Sequence, residues 1–313
     1  MSLPTISDVQ AVDPILTNML VSYTQSDDRF IAGRLFPSVQ VDKDSGTYYI
    51  VDKKYFFFND LENRAPGDDF ANLDFGLSTA TYTTLQWAAQ GKIPDEVRAN
   101  NQVPMSLEQV SLRRIASASM IRKEVSFGTD FFATSVWATD ATPTDWDDYT
   151  SSDPVADVLT ATRTISNSTG FTANTMALGL IVHNALVNHP DILDRIKYTT
   201  TALMGTVEAA LAAVFGVQNY WVGRASYSNT NESAAFSATA IIDDDCLITH
   251  VDPAAGLMGA TAGKTFSWAG GGGDGTIYRD PARLNHSDVF QHKEQWDQKA
   301  VATDLGYFFN DIV

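Results

Sequence analysis

The chain has 313 residues, a formal charge of −17 and 44% hydrophobic residues. That is enough apolar material to bury a real core across two medium domains or one elongated body. The acidic balance argues against a protein that grips DNA or an anionic membrane, because phosphate binding depends on clustered Lys and Arg. One cysteine, Cys246, excludes an internal disulfide and a cysteine-rich zinc site, and its setting in "DDDCLITHV" reads as a small hydrophobe entering a strand. The opening "MSLPTISDVQ" has neither the basic nor the apolar region of a signal peptide, and no run approaches the ~18 apolar residues of a membrane span. The expectation is a protein of a reducing cytoplasm, or of something assembled there.

Residues 1–45 mix short apolar clusters with "SYTQSDDRF" and "RLFPSVQVDKDSG" and read as an extended, loosely structured arm. From 46 the texture turns to "GTYYIVDKKYFFF", answered by "LSTATYTTLQWAA" at 77–89, as in two long strands of a hairpin. The connection "NDLENRAPGDDFANLDFG" is long for a compact domain and suggests an exposed functional loop. A two-stranded ribbon cannot bury both faces by itself, so some of Tyr48, Tyr49, Tyr55, Phe56, Phe57 and Phe58 need another element or another subunit. "SLEQVSLRRIASASMIRKEV", 106–125, is the best long helix, with Ser106 as cap and Leu107, Val110, Ile115, Ala118, Ile121 and Val125 as its buried stripe. The basic residues Arg113, Arg114, Arg122 and Lys123 on it suit a solvated face or an acidic neighbour. A second helix opens at "DPVADVLTATRTIS", with Asp153 capping and Pro154 at the first helical position.

From 174 the order is strand ("NTMALGLI"), two short helices, a helix "ALMGTVEAALAAVFG" ending at Gly216, and a strand "NYWVGRASY", an α/β body. The two short helices span "VHNALVNHPDILDRIKY", 182–198, which holds two histidines and two aspartates. His183 and His189 are six apart with Pro190 following, so the rings fall on different elements and the H-E-x-x-H spacing of paired ligands is missing. Val182, Leu186, Leu193 and Ile196 are expected to face inward. Strand-like "SATAIID" and "CLITHVD", the glycine-rich "WAGGGGDGT" and "TIYRD" follow, and "QWDQKAVATDLGYFFNDIV" alternates like strands returning to an earlier sheet.

The catalytic imitations are weak. "GATAGKT", 259–265, has three residues between Gly259 and Gly263 where a phosphate loop requires four. There is no G-x-S-x-G elbow, and His286, Ser287 and Asp288 are only neighbours in sequence. "DDD" at 243–245 has the usual fate of a solvated turn. No catalytic residue, cofactor or metal is assigned.

The stretch "NTMALGLIVHNALVNHPDILDRIKYT" followed by "ALAAVFGVQNYWVGRASY" resembles the major capsid proteins of tailed bacteriophages, particularly the branch of the lambda-type capsid E protein. The residues carrying it are Asn174, Met176, Asn188-His189-Pro190, Arg195-Ile196-Lys197-Tyr198, Phe215-Gly216-Val217 and Val222-Gly223, over about fifty residues. The resemblance implies an α+β Hong Kong 97-like major capsid fold. In it 1–45 is the N-terminal arm, 46–92 the E-loop hairpin, 93–173 a peripheral domain with the spine helix, 174–284 an axial domain, and 285–313 strands returning to the peripheral domain. It further implies Tyr49, Val51, Lys53, Tyr55, Phe57, Leu85 and Trp87 as inter-subunit contacts on the hairpin, and Gly270, Gly271, Gly272 and Gly273 as a loop near the capsomer axis. The implied protein is a homo-oligomeric shell subunit forming hexamers and pentamers around double-stranded DNA. Its partners would be a separate scaffolding protein, a portal and a decoration protein, with no membrane; it would be assembled in the host cytoplasm and reside in the virion. Lys53 and Lys54 suit strand-edge gatekeeping, and no covalent crosslink is predicted. Two alternatives stand beside it: an encapsulin-like nanocompartment, which would enclose protein cargo, and a soluble hydrolase or binding protein, which would show a defined cleft and a small oligomeric state.

Overall fold

The computed structural model describes residues 11–12, 28–51, 53–59, 61, 63, 66, 73, 76–100, 106–198, 206–230, 235, 237–254, 256, 259–272, 275–282 and 286–313. Two sheets organise it. The first is built on one long strand, β14 (Ser287–Ala300), numbered with the strands that precede it: β1 (Ala11–Val12), β2 (Ser38–Val41), β3 (Ser45–Val51), β4 (Leu77–Thr83), β5 (Leu85–Pro94), β6 (Thr139–Ala141), β7 (Thr175–Gly179), β8 (Asn219–Gly223), β9 (Ser226–Tyr227), β10 (Thr239–Ala240), β11 (Cys246–Thr249), β12 (Gly263–Trp268) and β13 (Thr276–Ala282). On one side of β14 runs β5, antiparallel from Ser287 opposite Pro94 to Trp296 opposite Leu85. On the other side β13 and β12 follow each other along the same edge, β13 opposite 287–293 and β12 opposite 296–300. β2 extends β12 in parallel, and β1 adds two residues to β13.

The second sheet has the order β6–β15–β11–β7–β8, where β15 is Gly306–Phe309. Its β7, β11 and β15 are buried at every position. Strands covered on both faces read as continuous apolar runs, which is how "TMALG", "CLIT" and "GYFF" read. Helices cover it: α5 (Pro154–Thr169), α6 (Leu180–Asn188), α7 (Pro190–Tyr198) and α8 (Val207–Phe215), after α1 (Ala32–Leu35), α2 (Lys54–Phe57), α3 (Asp95–Ala99) and α4 (Leu107–Phe131). Asp153 caps α5 by accepting from the Ala156 N–H at 3.0 Å, with Pro154 at the first position, as the sequence indicates. Gly216 ends α8 at φ 70°, a left-handed conformation that glycine adopts without strain.

α4 joins the two halves. At 25 residues it spans about 37 Å. Its first half lays Leu112 and Ala116 on Ile93, Ile277 and Phe290 of the β14 sheet, and its second half sends Phe127 and Phe131 into the large core of the other sheet. The stripe expected from the sequence is corrected accordingly. Of its members Ile115 is buried, whereas Val110 is 45% exposed. Ser106 holds the cap position, but its side chain makes no cap hydrogen bond.

Three further expectations change. Residues 28–45 are not a loose arm: Ile31, Leu35 and Phe36 are buried in the large core, and the rest of that arm, apart from Ala11–Val12, lies outside the described residues. The hairpin is shorter than 46–92, because β3 pairs with β4 alone, and after Thr84 the chain turns to β14. "KYFF" is a helical turn and not a continuation of the strand. Strand pairing groups the elements without regard to chain order. α5, β6 and β15 belong to the buried five-stranded sheet and its helices, while β12 and β13 belong with β5 and β14, since backbone pairing and not chain order defines each layer.

Candidate assembly surfaces

The β3–β4 ribbon is attached on one face. Tyr82 stacks on Phe266 with centroids 4.7 Å apart, Tyr48 lies 5.5 Å from the same ring, and Val41 completes that small core. Its other face and its far end stay in water. Tyr49 is 70% exposed, Phe57 and Phe58 56%, Leu61 82% and Leu77 55%. Leu73 and Leu85 are exposed as well. Scattered exposed apolar residues are ordinary; this many along one ribbon and its connection describe a surface made to be covered.

The residues expected to make inter-subunit contacts divide. Tyr49, Phe57 and Leu85 are exposed. Val51 closes the ribbon opposite Leu77. Tyr55 is half-buried, with the Lys54 ammonium 4.8 Å above its ring and Phe58 edge-on at 6.2 Å. Lys53 is engaged within the protomer by Asp304 at 2.8 Å. Trp87 is too: it stacks on Trp296 at 5.6 Å and lies under the Arg122 guanidinium at 4.1 Å. Sequence reasoning did not single out Leu61, Leu73 or Leu77; the signal was available in Leu61, Phe70, Leu73 and Phe75, spaced among the polar residues of the connection.

Gly270, Gly271 and Gly272 form the turn by which the chain leaves β12 and re-enters as β13 along the same edge of β14; Gly273 lies outside the described residues. Side chains larger than hydrogen have no room there. A Cβ on Gly271 would meet the Gln295 Oε1 at 2.2 Å and the Trp268 ring at 2.5 Å, and Gly272 has φ 112°. These glycines therefore sit in the β14 sheet and not beside the five-stranded one.

The polar constellations of the sequence are structural. His183 is buried, its Nδ1 3.1 Å from the Tyr220 hydroxyl, and burial, with Arg224 nearby, lowers its pKa, which keeps it neutral. His189 is fully buried between the Ser152 hydroxyl at 3.1 Å and the Asp191 N–H, which donates to its Nδ1 at 3.3 Å. α7 buries Ile192 and leaves Leu193 half in water, one position off the expected stripe. Among the described residues no three His, Cys, Asp or Glu side chains are grouped to hold a metal ion. No described helix is long and apolar enough to cross a membrane. Gly263 and Lys264 of the imitation phosphate loop lie inside β12, where the Lys264 Nζ donates to the Gly259 carbonyl at 2.9 Å. A depression of about 530 Å³ is lined by Asp153, Asp191, Asp194 and Arg195.

Between α4 and β14 lies a buried ion pair. The Lys123 Nζ is 3.0 Å from Glu294 Oε2, and the Ser119 hydroxyl donates to the same oxygen at 2.9 Å. Burial works against ionisation of Glu294, but His292, Lys123 and Ser119 overcome it and hold the carboxyl at about 2. His292 Nε2 lies 3.9 Å from the same oxygen. At the other end of α4, Arg98 and Arg279 converge on Asp288 at 2.5 and 2.6 Å, and hydrogen bonds from Arg279 and Arg98 lower its pKa.

A long helix thus bridges two sheets, with an apolar ribbon beside them. No family model matches the chain. A major capsid protein of Burkholderia phage BcepMu is 26% identical over 238 residues, which cover 72% of this chain and 73% of that one. The crystal structure of a phage-related protein from Bordetella bronchiseptica RB50 superposes with a TM-score of 0.76 at 21% identity, covering 97% of this chain and 98% of the other. The capsid structure of the cyanophage P-SCSP1u gives a TM-score of 0.58 at 9% identity, covering 99% and 90%. The fold is that of phage major capsid proteins, the α+β Hong Kong 97 type. Relative and fold together support a phage head shell subunit.

Proposed function

We propose that the chain self-assembles into hexamers and pentamers that close into an icosahedral phage head around double-stranded DNA. The observation that carries this reading is the row of exposed apolar side chains on the β3–β4 ribbon and its connection, Tyr49, Phe57, Phe58, Leu61, Leu73 and Leu77. A covering partner is needed, and a second copy of the chain is the simplest one, since repeated heterologous contacts close into rings and shells. Tyr49, Phe57 and Leu85 are the first-choice contacts, while Lys53 and Trp87 keep their partners inside the protomer. The charge of −17 suits a wall that encloses DNA without adhering to it. A separate scaffolding protein, a portal and a decoration protein are the partners of this reading, with assembly in the host cytoplasm.

Deleting residues 60–75 tests it. The reading expects folded, soluble protein that no longer forms shells, read by light scattering and electron microscopy. Normal shells from the deletion would contradict it. Particles that fill with protein and exclude DNA would move the chain to the nanocompartment class.

A further inference from the structure

The apolar stripe that the sequence marks on α4 exists, but much of it faces outward. Val110 is 45% exposed, Ala118 is exposed, and Ile121 is half-buried. Leu112 and Ala116 are the residues that meet the β14 sheet. Arg113, Arg114 and Arg122 are exposed and stand on the same outward side, because residues three and four apart share one side of a helix. From Gln109 to Lys123 the helix carries no acidic residue. Arg122 lies over the Trp87 ring at 4.1 Å, which holds its charge at the surface.

A helix face that mixes apolar and cationic groups fits a segment that mixes apolar and acidic ones, and the chain contains such a segment. The connection "NDLENRAPGDDFANLDFG", 59–76, carries five acidic residues against one arginine, with Leu61, Phe70, Leu73 and Phe75 interleaved. Leu61 and Leu73 are 82% and 58% exposed.

We propose that the connection 59–76 of one copy docks on the outward face of α4 of the next, its acids meeting Arg113, Arg114 and Arg122 and its apolar residues covering Val110, Ala118 and Ile121. This rests on the shell reading and names the surface that receives the ribbon.

The pleat of β14 supports a neighbour as the receiver. Phe290 packs on Leu112 and Ala116, and Glu294 bonds Ser119 and Lys123, so the even-numbered side chains face α4. The ribbon is rooted through odd-numbered ones: Asp297 accepts from the Thr83 N–H at 3.0 Å, and Gln295 donates to the Thr84 hydroxyl at 3.1 Å. Successive side chains of a strand point to opposite faces. The ribbon therefore leaves the sheet on the side away from its own α4. Two different surfaces meet in such a contact, which is the heterologous kind that repeats into rings.

Charge reversal tests it, read by light scattering and electron microscopy under conditions in which the wild type assembles. Arg113→Glu with Arg114→Glu in one variant, and Asp68→Arg with Asp69→Arg in another, should each raise the concentration needed for assembly about tenfold or more. Assembly should return when all four substitutions share one chain, and also when the two variants are mixed, since each then supplies the charge its neighbour needs. Unimpaired assembly of either variant, or a defect that the fourfold variant keeps, would overturn the docking and leave the shell reading standing. Rescue in the fourfold chain but not in the mixture would place the contact within one protomer and overturn it too. A wild type that never leaves the monomer contradicts the shell reading itself. Should the Arg113→Glu, Arg114→Glu chain fail to fold by circular dichroism, Arg113→Gln with Arg114→Gln takes its place, with the same weakening expected and unimpaired assembly again overturning the docking.

Discussion

Glu124, on α4, and Glu294, on β14 beneath it, are both 1% exposed, yet they are shifted in opposite directions. The difference is the company each keeps: Lys123 sits 3.0 Å from Glu294, whereas Glu124 has backbone donors and a distant Arg34. Because the folded pKa of Glu294 is depressed from 4.5 to about 2, its contribution is complete above pH 4.5 and is lost as pH falls through 2. That displacement corresponds to about 3 kcal/mol. Glu294→Gln should therefore lower stability by about 2–3 kcal/mol at pH 7. In denaturant titrations the gap to the wild type should close between pH 4.5 and 2. Cys246 makes the simplest residue-scale prediction. It is fully buried in β11, and burial pushes its thiol well up, so a maleimide should label it only on unfolding. Such residue roles were partly legible: spacing and Pro190 separated His183 from His189, and the setting "DDDCLITHV" made Cys246 a core residue. The ion pair of Lys123 with Glu294 was not legible, because partners 171 residues apart share no local pattern.

α4 shows why element existence is easier to read than element facing. Its apolar residues serve two cores in succession, so no single 3.6-residue stripe runs its length, and a window of twenty residues averages two faces. The structure expects Leu112→Ala and Phe127→Ala each to cost about 2–5 kcal/mol, and Val110→Ser, inside the stripe the sequence suggested, less than about 0.5 kcal/mol. Chemical unfolding of the three variants checks this, and a costly Val110→Ser would place the helix with the wrong face inward. The hairpin teaches the same lesson for strands. β-branched and aromatic residues identified 77–89 as extended, but composition says nothing about the partner, which changes at Thr84 from β3 to β14. The five-stranded sheet was more readable, since "TMALG" and "CLIT" are apolar runs bounded by turn residues.

At the scale of the whole molecule, the body buries a large core yet leaves side chains such as Leu159, Ile181, Leu193 and Val207 in water, and the ribbon with its connection adds a run of exposed apolar residues of its own. The large core takes in both sheet and helices, from Ile31 to Ile312, whereas the apolar side chains from Tyr49 to Leu77 find little cover in the protomer. An acidic chain with such a protrusion is expected to remain soluble as a subunit and to associate through shape and apolar area, with association strengthened by salt that screens mutual repulsion. Light scattering across an ionic-strength series checks that trend. The most direct test of the central claim is electron microscopy, with size-exclusion light scattering, of the protein expressed alone and with a candidate scaffolding protein. Closed shells, tubes or capsomer rings are the predicted result; a strictly monomeric protein under both conditions would contradict the account.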